Sequence, residues 1–102
     1  MNVAALSPAA RRDLLAAVRW IASDNPVAAR ALRDSVAQAA TRIGAHDQLG
    51  TLRPDLAAAP CRFLPLTGFP YVIVYNAERR PPLILRILHS ARDLPEVLRT
   101  PL

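Results

Sequence analysis

The chain has one cysteine, three glycines and no lysine in 102 residues. A lone cysteine excludes an internal disulfide, and Cys61 has no accompanying Cys/His signature, so it reads as a small core residue. No apolar run is long enough to cross a bilayer. The opening Met1–Leu6 stretch lacks the charged, apolar and cleavage regions of a secretion signal. These absences place the protein in the cytoplasm. The two histidines, His46 and His89, stand far apart with no cysteine or carboxylate at ligand spacing, so no metal site is expected. There is no glycine-rich phosphate loop, and no cofactor is expected. Arginines lie among small alanines rather than opposite bulky anchors, which argues against a membrane-surface helix.

Residues 1–102 suit one domain, large enough to bury a single core. Apolar residues make up 52% of the chain, which excludes disorder. The formal charge is +5, and all 13 basic residues are arginine. This balance favours an acidic partner, nucleic acid or protein. Arginine also favours bidentate contacts with carboxylate or phosphate. A GC-rich coding bias would equally remove lysine, so the missing lysine decides nothing alone.

Residues 2–6 read as a short first strand. Ser7-Pro8 is an N-cap followed by proline at the first helical position. From Pro8 to Ser23, Leu14, Val18 and Ile21 repeat at helical spacing, opposite Arg12, Arg19 and Ser23. Asn25-Pro26 repeats the start signal. Ala29, Leu32, Val36, Ala39 and Ile43 then trace a second stripe, which Gly44 is expected to end. So tight a connection makes an antiparallel helical hairpin. Residues 45–60 read as a long loop. Cys61–Leu66 follows as a short strand, with Pro65 marking an edge or a bulge. Thr67-Gly68 turns into Pro70–Tyr75, the clearest strand. Arg79-Arg80 lies in a polar turn and reads as a solvated pair. Leu83–His89 is the last strand. Asp93-Leu94-Pro95-Glu96 resembles a cap opening a short helix to about Arg99. The order β-α-α-β-β-β defines an α+β domain, a helical hairpin on a small, mainly antiparallel sheet.

The last two strands are apolar on both faces. In one, Val72 and Val74 alternate with Tyr71, Ile73 and Tyr75. In the other, Leu83, Leu85 and Ile87 alternate with Ile84, Arg86 and Leu88. One helical hairpin covers one face, so the other needs the chain's termini or a partner. The short, proline-interrupted edge strand is a candidate acceptor for an added strand. Both features point to a protein that works in a complex.

The segment Pro70–Tyr75, followed by Leu85-Arg86-Ile87-Leu88-His89-Ser90-Ala91-Arg92-Asp93-Leu94-Pro95, resembles the end of ParE-type toxins of the RelE/ParE superfamily. Gly50, Arg53-Pro54-Asp55-Leu56 and Arg62 fall where that family has Gly, Arg and Pro before its second strand. Leu6-Ser7-Pro8-Ala9-Ala10 with Asp13-Leu14, and Asn25-Pro26 before Ala28-Ala29-Arg30, resemble its opening. The likeness runs over nearly the whole chain. It implies the RelE/ParE-like fold and a small ParD-like antitoxin whose C-terminal segment wraps the toxin. It also implies poisoning of DNA gyrase, and contact with operator DNA only through the antitoxin, in a hetero-oligomer. The RelE branch instead cuts mRNA on the ribosome.

Cleavage of the RelE kind needs basic residues on the phosphate and a general acid and base. Arg62, Arg86 and His89 are the candidates for that set. Against it stand Ser90, where some mRNA-cleaving relatives carry an aromatic residue, and the absence of any lysine or of a tyrosine beyond Tyr75. The reading therefore leans to a non-enzymatic toxin, with the endonuclease and a non-toxic binding module or corepressor as alternatives. Trp20, Tyr71, Tyr75, Arg86, His89 and Arg92 are the candidates for binding antitoxin or target. Each also has a plainer role. Trp20 lies off the main helical stripe and reads as boundary core or an interface anchor. Arg86 interrupts an apolar strand and needs a partner, for which Asp93 is the candidate. His89 closes a strand.

Overall fold

The computed structural model describes residues 3–93. Its elements are β1 (Ala5–Leu6), α1 (Pro8–Ala22), α2 (Pro26–Ala45), β2 (Thr51–Leu52), β3 (Cys61–Pro65), β4 (Tyr71–Asn76) and β5 (Leu83–His89). One sheet runs in the order β1-β5-β4-β3-β2. β1 lies parallel to β5 and every other pair is antiparallel. This is an α+β fold with the expected β-α-α-β-β-β order plus one small added strand. The expected helix from Asp93 to Arg99 falls, beyond its first residue, outside the described residues.

Both helices start as their caps dictate. The Ser7 side chain accepts from the Ala10 N–H at 3.1 Å and donates to the Leu85 carbonyl at 2.8 Å, so one hydroxyl caps α1 and ties it to β5. Asn25 Oδ1 accepts from the Ala28 N–H at 3.0 Å. Gly44 does not end α2. The helix continues to Ala45, and the His46 N–H donates to the Arg42 carbonyl. Hydrogen bonding thus outweighs the modest helical cost of one glycine. Gly68 does carry the positive φ, 85°, that the β3–β4 turn needs.

α2 buries Ala29, Leu32, Val36, Ala39, Ala40 and Ile43, whereas α1 fully buries only Ala10 and Ala17. Leu14, Val18 and Ile21 of α1 are partly buried against the same core, which takes in Ile73, Tyr75, Ile84 and Ile87 of the sheet. Truncating Leu32 here costs about 2–5 kcal/mol. The other sheet face carries Cys61, Phe63, Val72, Val74 and Leu88, with Leu56, Ala57 and Leu85 packed against them. The long connection therefore supplies part of the cover that the apolar strands require. It also contains β2, which pairs Thr51 with Phe63 and Leu52 with Arg62.

Strict alternation fails along β5. A register shift between Val74 and Tyr75 pairs Val74 with Arg86 but Tyr75 with Ile84, leaving Leu85 as the extra residue. Ile84 and Ile87 consequently share the helix-side core, and Leu85 and Leu88 pack on the other side. Pro65 marks no bulge. It lies beyond the two-residue β2, where β3 is locally the edge and proline offers no donor. Among the described residues no helix is long and apolar enough to cross a membrane.

Candidate functional site

The two tyrosines of β4 head two different sites. Tyr75 is fully buried. Its hydroxyl donates to the Asp47 carbonyl at 2.8 Å and accepts from the Gly50 N–H at 2.7 Å. Burial pushes this phenol above its ordinary range, with the Gly50 hydrogen bond and the Arg62 charge opposing. Arg62 donates to the Gly50 carbonyl at 2.8 Å, and Arg80 pairs with Asp47 at 3.1 Å. Arg79 and Arg80 are both exposed, as expected of a solvated turn pair. The ion pair of Arg80 with Asp47 links the β4–β5 turn to the 47–50 loop at the surface, where such pairs add little stability. A Cβ on Gly50 would lie 2.8 Å from Tyr75 Cε1 and 3.0 Å from the Phe63 carbonyl, so this glycine is demanded by close approach. Tyr75, proposed from sequence as a binding residue, lies in the interior with its hydroxyl engaged.

Tyr71 lies at the other end of β4, opposite His89. The rings meet edge to face, with centroids 5.3 Å apart and planes at 81°. His89 also shapes the chain that follows. Its Nδ1 accepts from the N–H groups of Ala91 and Arg92, both at 3.2 Å, which leaves the neutral ring's proton on Nε2. Its backbone N–H donates to Asp93 Oδ2, and its carbonyl accepts from the Asp93 N–H, both at 2.9 Å. This turn carries Arg92 over the Trp20 ring, 5.9 Å from the centroid, at cation–π distance. Trp20 is 69% exposed. Between α1 and the turn lies an open cleft of about 300 Å³, lined by Asp13, Trp20, Tyr71, Ile87, Arg92 and Asp93.

Arg86 finds its partner in Asp13 of α1, not in Asp93. Its Nε and Nη2 donate to the two carboxylate oxygens at 2.7 and 2.9 Å. That hydrogen-bonded pairing raises the guanidinium further above its ordinary range, so it stays charged. Asp13 also accepts from the Ile87 N–H at 3.0 Å. Beyond the short β1, the Ile87 and His89 N–H groups are thus capped by Asp13 and Asp93. Two carboxylates close the stretch of β5 that would otherwise accept another strand. Sequence reading missed Asp13. The available signal was that it is the only acid in α1, set among arginines.

The three candidates for phosphate chemistry do not converge. Arg62 stands opposite Tyr75, and His89 opposite Tyr71, at the two ends of β4. That is about 13 Å along the strand. Arg86 shares its register position with Val74, on the face opposite the one Tyr75 packs into. Trp20, Tyr71, His89 and Arg92 do come together. Burial raises the Cys61 thiol, as suits a core residue rather than a nucleophile. Among the described residues no group of three or more His, Cys, Asp or Glu stands where it could hold a metal ion.

No curated protein matches the chain. The solved structure of a chromosomal ParDE TA system from P. aeruginosa matches with a TM-score of 0.72 at 20% identity, over 87% of this chain and 96% of the other. The likeness is one of fold. Residues 4–94 match the family described as the ParE toxin of the type II toxin-antitoxin system, parDE. The chain belongs to the ParE toxin family of type II toxin–antitoxin systems.

Proposed function

We propose that the protein is a toxin that poisons DNA gyrase by binding it and is neutralised by a ParD-like antitoxin. The observation that carries this reading is the contrast between the two residue sets. Arg62, Arg86 and His89 are dispersed, and each is tied up in a structural hydrogen bond. Trp20 and Arg92 instead present an exposed aromatic–guanidinium pair at the rim of an open cleft. Tryptophan and arginine are the residues most enriched where proteins bind proteins tightly. A catalyst for RNA cleavage needs an acid, a base and a phosphate cradle around one point.

The test is expression from a tightly controlled promoter, with DNA and protein synthesis followed separately by pulse labelling. The expected result is that DNA synthesis stops first, with gyrase-linked breaks, and that co-expressed antitoxin prevents it. Earlier arrest of protein synthesis would make the chain a ribonuclease. Unimpaired growth would leave only a binding or corepressor role. Within the toxin reading, Arg92→Ala should weaken toxicity more than Arg79→Ala, because Arg79 lies in an exposed turn away from the cleft.

A further inference from the structure

His89 is the last residue of β5, and the turn beyond it hangs partly on its imidazole. Nδ1 accepts from the N–H groups of Ala91 and Arg92, both at 3.2 Å. A ring nitrogen that carries a proton has no lone pair to offer, so these bonds need Nδ1 bare. Histidine is the side chain that changes charge between about pH 5 and 8. The acceptor for two N–H groups thus sits on the residue type that mild acid protonates. On the strand side the chain is held without the ring. The Ser90 N–H and hydroxyl both donate to the Pro70 carbonyl, at 3.0 and 3.2 Å. On the turn side Ala91 and Arg92 are exposed, so water can take over their N–H groups. Loss of the Nδ1 bonds therefore loosens 91–92 and leaves the sheet intact. Those two residues place the Arg92 guanidinium 5.9 Å from the Trp20 ring centroid.

We infer that His89 is a proton-operated latch on the Arg92–Trp20 pair: its neutral ring holds the turn that lays the guanidinium over the indole, and protonation at Nδ1 releases it. The groups facing the ring come from three sides. From β4, Tyr71 meets it edge to face. From the turn come Arg92, whose charge repels an imidazolium, and Asp93, whose carboxylate accepts from the His89 N–H at 2.9 Å. From α1, Asp13 is already matched by the Arg86 guanidinium. A protonated ring in its present position faces two N–H donors and a like charge. By turning away it can meet the Asp93 carboxylate, which charge-assisted bonding favours. The other histidine, His46, follows α2 next to Asp47, at the Tyr75 end of β4. The latch goes beyond the gyrase reading and works without any partner.

Trp20 is the chain's only tryptophan, so its indole N–H gives a single signal in a proton–nitrogen NMR spectrum. The experiment follows that signal together with the His89 ring signals in the purified protein, from about pH 8 to about pH 5. The expected result is that both shift with one shared midpoint. His89→Asn sets an amide oxygen where Nδ1 stands, which still accepts from the N–H groups two and three residues on but takes up no proton in this range. It should hold the Trp20 signal at its alkaline position throughout. Arg92→Ala should also abolish the shift, because the group that moves is gone, whereas His46→Asn should leave it as in wild type. Circular dichroism establishes that each variant is folded. A Trp20 signal that stays fixed while His89 titrates would overturn the inference, as would a wild-type shift persisting in His89→Asn or in Arg92→Ala. So would a shift that disappears with His46. If His89→Asn does not fold, the shared midpoint in wild type and the other two variants still decide the matter.

Discussion

Tyr71 and Tyr75 occupy the same face of the same strand, and both are almost wholly buried, at 6% and 0% exposure. Their surroundings differ in kind. Around Tyr75 every polar group is spoken for within the molecule: hydroxyl to loop backbone, Arg62 to a carbonyl, Arg80 to Asp47. Around Tyr71 the edge-on His89, the Arg92–Trp20 stack and the open cleft leave surface for something else. One strand thus joins a locked end to an available end. Residue type alone does not mark a binding surface. What marks it is whether the neighbouring polar groups and apolar areas already have partners.

The comparison can be broken most severely through Asp13, which lines the cleft but is bonded like a core residue. Asp13→Ala strips Arg86 of its carboxylate and Ile87 of its acceptor, and should cost about 3 kcal/mol in urea denaturation. A loss below about 1 kcal/mol would mean that α1 is held to β5 by packing alone. Next comes the locked end itself. Gly50→Ala drives a Cβ against Tyr75 and the Phe63 carbonyl, and should cost about 2 kcal/mol. Unchanged stability would show that the loop yields freely. Tyr75→Phe leaves the Gly50 N–H and the Asp47 carbonyl without partners, for about 1.5 kcal/mol.

That last variant carries a signature in alkali as well. The folded phenol is raised above its unfolded value, so its contribution is complete below the unfolded pKa and lost as pH rises through the folded one. Wild type should therefore lose stability in alkali in a way that Tyr75→Phe does not. The smallest effect on stability belongs to the available end. Trp20→Ala, at an exposed helix position, should change stability by about 0.5 kcal/mol or less. It should still weaken antitoxin binding about tenfold or more. A variant that unfolds the protein instead would place Trp20 with the core and erase the contrast.

Much of the fold was legible because its signals are local. Ser7-Pro8 and Asn25-Pro26 are start signals built from neighbouring atoms, and both helices begin where they say. The β-branched run at Tyr71–Tyr75 needs only its own pleat. Gly44 misled because a C-cap glycine and an ordinary helical glycine look alike until the next carbonyl is placed. β2 was hidden because its two exposed residues owe their strand state to β3 rather than to composition. The partner of Arg86 was misassigned for the same reason. Asp93 is near in sequence, whereas Asp13 is 73 residues away and becomes adjacent only when α1 crosses the end of β5. Of the candidate site, the aromatic and arginine residues were visible as types, but their division into locked and available was not.

Taken alone, then, the sequence determined the element types, the order β-α-α-β-β-β, the positive charge and the likeness to ParE toxins. Each of these depends on spacing or composition within a short window. The tertiary structure decided which arginine meets which carboxylate, which way β5 turns its apolar residues after the irregularity at Leu85, and which tyrosine stands beside open surface. Those outcomes depend on groups brought together across the whole chain, where a hydrogen bond is made or lost by a shift of an ångström or two.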